Sequence, residues 1–186
     1  MGRKMLLKDK IIKMYKKNDS AGNIYGEFLK NRTDNEKKEA IEIFIKLAKV
    51  DIKDKILRAK ALAMLGFFKS MCCGDKVETY YKDGSIICEY QNISGIVEDN
   101  CKELISILNS SERIDLQENK ELYGITTAII HCLHSYTVNP DIVFQLFDLF
   151  EKKFNLEQKK KSEEMDDVDS YIDGQISRLR PKFKAK

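Results

Sequence analysis

The residues of this chain that could do chemistry are few and scattered. His131 and His134 lie three apart with Cys132 between them, so on a helix the two imidazoles share a face and could offer a metal two ligands. A third ligand would have to come from elsewhere, because no Cys-x-x-Cys or His-Glu-x-x-His accompanies them. Cys132 belongs to an apolar stripe and reads as packing. Cys72 and Cys73 stand just before Gly74. A thiolate nucleophile needs a base or a positive field, and a helix C-terminus supplies a negative one. Cys88 and Cys101 read as small hydrophobes. Glu163, Glu164, Asp166, Asp167 and Asp169 form an acidic run without the glycine or spacing of a calcium loop, and are expected on a solvated helix face. Asp83-Gly84-Ser85 is turn chemistry, and no phosphate loop, nucleophile elbow or kinase signature occurs. These residues call for no catalytic constellation, no metal and no cofactor.

The elements that would have to position such groups are mostly helices. Only 2 of 186 residues are proline, and Lys, Glu, Leu and Ile are abundant, which favours helix. Apolar spacing predicts helices over about 4–17, 21–31, 34–49, 52–72, 92–109, 116–136 and 141–156. The stripes are Leu7, Ile11, Tyr15; Ile41, Phe44, Ile45, Ala48; Ile56, Leu57, Ala61, Met64, Leu65, Phe68; Val97, Cys101, Leu104, Ile105, Leu108; and Leu122, Ile125, Ile129, Cys132, Tyr136. The segment 141–156 carries two overlapping stripes, which suits a buried helix. Helix 116–136 followed by 141–156 reads as a second helix pair. Met165, Val168, Ile172, Ile176 and Leu179 then mark a thin amphipathic helix expected to end at Pro181. Between Gly74 and 92, Val77–Tyr81 and Ile86–Tyr90 flank Asp83-Gly84 and read as a β-hairpin over about 77–90. Such a hairpin needs helices or a partner to cover it.

The passage 51–66 resembles the second helix of a HEAT-type repeat. Leu57-Arg58, Ala61 and Leu65-Gly66 stand in the register of that family, with 34–49 as the first helix. The resemblance covers residues 34–66 and implies stacked helix pairs used as a binding surface. The expected fold is therefore mainly α: antiparallel helical hairpins stacked as a HEAT-like or irregular bundle, with one small β-hairpin. A single helical domain over 1–156 is expected to carry a charged C-terminal helix or tail over 157–186.

Charge is unevenly placed along the chain. Residues 1–17 hold seven bases against Asp9, a net of +6, and 178–186 hold five bases and no acid. The segment between them has 21 bases and 29 acids, a net of −8. Nucleic-acid binders usually present a basic face on the body of a domain rather than basic ends. No apolar run reaches the roughly 18 residues of a membrane span. Five cysteines and no secretory signal suggest a reducing, cytoplasmic setting. The expected function is a non-catalytic protein-binding module, in concrete form an immunity- or antitoxin-type protein that neutralises a partner protein. The alternative is a nucleic-acid-associated helical protein using its basic termini. Candidate partner-binding residues are Tyr80, Tyr81 and Tyr90 on the hairpin, because tyrosine anchors interfaces, and Arg178, Arg180 and Lys182 at the basic end.

Overall fold

The computed structural model describes residues 7–16, 34–72, 93–110, 114–116 and 119–184. Among them are eight helices: α1 (Leu7–Lys16), α2 (Asp34–Leu47), α3 (Lys55–Cys72), α4 (Ile93–Ser110), α5 (Lys120–Ser135), α6 (Pro140–Lys153), α7 (Leu156–Ser162) and α8 (Asp167–Lys184). Side-chain caps set several of the starts. Asp54 Oδ1 accepts from the Leu57 amide at 3.0 Å, Asn119 Oδ1 from Leu122 at 3.0 Å and Asp166 Oδ1 from Asp169 at 2.8 Å. Asn139 accepts from Asp141, with Pro140 in the first turn, where its missing N–H costs nothing. These caps place the starts of α3 and α5 about three residues later than apolar spacing alone suggests.

The helices pack by alternation. α3 lies against α5 more extensively than against any other element, α4 against α6, and α8 against both α6 and α5. α2 packs on α3, and α4 on α5. The buried residues form one core that contains Phe44, Leu62, Met64, Leu65, Leu104, Ile129, Phe147 and Phe150. The α4 stripe, the α5 stripe, Ile41 and Phe44 of α2, and Ala48 just after it are all buried in it. α6 is half-submerged on two faces, as its double stripe predicts: Val143, Leu146, Phe147 and Phe150 are buried, with Ile142, Phe144 and Leu149 against them. No helix among the described residues is long and apolar enough to cross a membrane.

Some expectations change. Helices 116–136 and 141–156 do not make the second packed pair, because α5 packs chiefly on α3 while α6 packs on α4 and α8. Ile56 leaves the α3 stripe and is 46% exposed, while Arg58 and Leu62 take buried positions. Pro181 does not end α8, which runs on to Lys184 because Phe183 is drawn into the core. The proposed helix 21–31 and hairpin 77–90 lie outside the described residues.

Candidate functional site

The charged residues singled out at the C-terminus do not converge on a patch. Arg180 reaches Asp148 at 3.2 Å and Glu151 at 2.7 Å, both on α6, and lies over the Phe147 ring. Lys182 Nζ donates to the carbonyls of Leu133 at 2.6 Å and His134 at 2.9 Å, which satisfies the end of α5. Both therefore hold α8 on the body, while Arg178 is exposed. Tyr80, Tyr81 and Tyr90 lie outside the described residues.

The groups that suggested chemistry are also engaged in packing. His131 is half-buried beside Gly66, where a Cβ would come within 2.7 Å of its ring. Burial, and secondarily His134, hold its imidazole below the usual histidine range. His134 Nε2 is 2.7 Å from Gln175 Oε1 on α8. Cys132 points its thiol at the Leu62 carbonyl, 3.1 Å away, and burial raises its pKa. Burial likewise pushes the Cys101 thiol up to about 12, so both thiols stay neutral and unreactive. Among the described residues no three His, Cys, Asp or Glu side chains gather as a metal set.

The acidic run is not simply a solvated face. Asp166 caps α8, and Asp169 is buried and paired with Lys159 of α7 at 2.6 Å. An acid three residues after the capping acid, just before an apolar stripe, is a helix-start pattern that could have placed Asp169 in the first turn. Nothing local shows that Lys159 folds back onto it.

Among the described residues are several concavities, two of them beside α5. A polar cleft of about 1070 Å³ lies between the starts of α5 and α8 and the end of α6. Its Asn119 and Asp166 are spent on capping, and its Asp169 and Lys159 on each other. The second, of about 550 Å³, is a groove along α3 and α5. It is lined by the small residues Ala59, Ala63, Gly124 and Ala128, together with Ile56 and with Tyr171 of α8.

The groove follows from how closely the two helices approach. Ala59 faces Gly124, where an added Cβ would lie 3.6 Å from the alanine methyl, and Gly66 faces His131 and Cys132. The contacts advance together along both chains, so α3 and α5 run in the same direction. Three side chains at the end of α5, those of Cys132, Ser135 and the capping Tyr136, donate to α3 carbonyls, Tyr136 OH to Leu65 at 2.7 Å. On the next layer Arg58 is 1% exposed. It donates to the Val50 carbonyl at 2.9 Å and pairs with Glu103 of α4, which ties the α2–α3 turn to the following helix. Small floor residues leave the groove shallow and open. Two large, partly exposed side chains line it, Ile56 and Tyr171, and the Tyr171 phenol is pushed up by burial and secondarily by Tyr123.

Ile56 and Tyr171 are the candidate residues that sequence reading did not bring together. The alanines and glycine at four-residue spacing were visible in each helix, but the contact joins segments more than 60 residues apart. Compared with protein-family models, with curated proteins and with solved structures, the chain matches none.

Proposed function

We propose that the chain is a non-catalytic protein-binding module of HEAT-like construction, and that the α3–α5 groove is its docking surface. One observation carries this reading. The large hydrophobic side chains exposed among the described residues are Val50, Ile56, Tyr123 and Tyr171, and two of these four, Ile56 and Tyr171, line the groove. Apolar clusters with a polar rim mark interaction sites, and tyrosine contributes area with a hydrogen-bonding end. The HEAT-like part is supported by Arg58 and Gly66. Both stand in the resemblance register, one linking successive helices and the other permitting the α3–α5 approach. Alternate packing of α3 on α5 and α4 on α6 is what a stack of helix pairs would produce.

A photo-crosslinking residue placed at Tyr171 or at Ile56 tests this. The expected result is a discrete protein adduct that is competed by the unlabelled chain and is absent from a control at exposed Glu157. Equal labelling from Glu157, or no adduct at either groove position, rejects the docking surface. An immunity- or antitoxin-type role is the narrower form of the reading. It predicts that co-expression rescues cells from a toxic partner and that Ile56→Arg abolishes the rescue.

The nucleic-acid alternative draws on the basic ends, but Arg180 and Lys182 are occupied within the fold. Deleting 178–186 would also remove the buried Leu179 and Phe183, so the cleaner test is Arg178→Glu with Lys184→Glu. Loss of a salt-sensitive gel shift in that double variant would favour it.

A further inference from the structure

We propose that α8 is a releasable strap, which opens as a unit about the link that follows α7 while α3 and α5 stay folded together. Among the described residues, the non-glycine positions with left-handed backbone are Asn155, at φ 54°, and Glu163, at φ 58°. They stand at the two ends of α7, just ahead of α8. Asparagine tolerates that conformation, but a glutamate Cβ is crowded by its own backbone there. Strained backbone therefore sits where a change of φ and ψ swings α8 away from the body. None of it lies in the α3–α5 seam.

The fastening is the second observation. The buried stripe of α8 is narrow, and its margins are held by polar contacts. Lys159 meets Asp169 at 2.6 Å, Lys160 meets Asp173 at 2.8 Å, and Arg180 meets Glu151 at 2.7 Å and Asp148 at 3.2 Å. Gln175 adds its contact with His134 at 2.7 Å. Asp169 is buried, but Lys160 and Asp148 are mostly exposed, so water and salt compete for their pairs. The α3–α5 seam has close backbone approach and neutral hydrogen bonds, which salt does not screen. Release changes what the molecule offers. Docked, Arg180 and Lys182 are spent on α6 and on the end of α5. Undocked, they join the exposed Arg178 and Lys184 on a helix whose apolar stripe is also uncovered. Tyr171 departs with α8, so the α3–α5 groove loses one of its lining groups. The inference stands whether or not that groove docks a partner.

The test is native-state hydrogen exchange on the full chain, read amide by amide at low salt and in about 1 M sodium chloride. The expected result is that amides across 172–183 share one opening, at least about tenfold more populated than the opening that exposes 125–132 of α5. Lys160→Gln with Arg180→Gln is expected to raise the α8 opening about fivefold at low salt, and to add little in 1 M salt, where the screening already acts. Exchange of α3 and α5 amides in that variant checks that the body remains folded. Equal protection of α8 and α5 overturns the strap, since the two then open only together. Protection that falls steadily from 172 to 183 also overturns it, because that is fraying from the end. A shared opening that neither salt nor the double variant moves overturns the fastening by charge.

Discussion

The α3–α5 seam and the seat of α8 join helices by opposite means. The seam is built from small residues and neutral hydrogen bonds. Gly66 and Gly124 let the backbones approach, and Cys132, Ser135 and Tyr136 cap α3 carbonyls. α8 instead lays a narrow stripe, Ile172, Ile176, Leu179 and Phe183, on the body and fastens its margins with charge. Lys159–Asp169, Lys160–Asp173, Arg180 with Asp148 and Glu151, and Lys182 on two carbonyls all serve that end. A close-packed seam should respond to side-chain volume and ignore salt. A charge-fastened helix should tolerate volume on its outer side and respond to salt. The same chain can therefore keep a rigid floor for its groove while one wall is held more weakly.

The sharpest test of this contrast is volume at Gly66. Gly66→Leu puts a side chain against the His131 ring and the Cys132 backbone amide, and backbone cannot yield. We expect a loss of about 3 kcal/mol in urea unfolding; a change below ~1 kcal/mol would mean the seam is loose. Tyr136→Phe removes the hydroxyl from the Leu65 carbonyl and should cost about 1 kcal/mol, equally at low and high salt. Gly174→Ala on α8 goes the other way. A Cβ there meets nothing within 4 Å, so helix propensity alone should add up to about 1 kcal/mol. Arg180→Gln should cost about 0.5 kcal/mol at low salt, since Asp148 is largely exposed, and nothing measurable near 1 M salt, where the screening length is about 3 Å. A salt-independent loss would place Arg180 in packing rather than in ion pairing.

The smallest effect is expected at His131. Its folded pKa lies below the ordinary value, so its contribution is fully present above about pH 6.5. As pH falls from there, the unfolded chain takes up the proton first, and the contribution is lost as pH drops through the lowered folded pKa. His131→Gln should flatten that part of the acid-side stability curve; an identical slope in wild type and variant would show the ring to be freely solvated.

Much of the helical layout was legible because apolar period and caps are local. The stripes of α4 and α5 reappear residue for residue in the core, and Asn139-Pro140 begins α6. What was not legible depends on partners far away in sequence. Ile56 fits a stripe by spacing, yet α5 meets α3 through Ala59, Leu62 and Gly66 and leaves Ile56 outside. Arg180 and Lys182 looked like a free basic end because their partners, Asp148, Glu151 and two carbonyls, lie 29 to 49 residues away. Asp169 looked solvated for the same reason. Pro181 looked like a stop because local rules give no weight to burying Phe183 two residues later.

The direct bonds across the seam join residues 69 to 71 positions apart. Closing a loop of that length has to precede any reward from the contacts it brings together, which raises contact order and slows folding relative to a bundle of neighbouring hairpins. During synthesis, the face of α3 that meets Cys132, Ser135 and Tyr136 waits until those residues have left the ribosome. Until then its apolar surface is open to other chains, so the step most exposed to aggregation falls before α5 arrives rather than after the chain is complete.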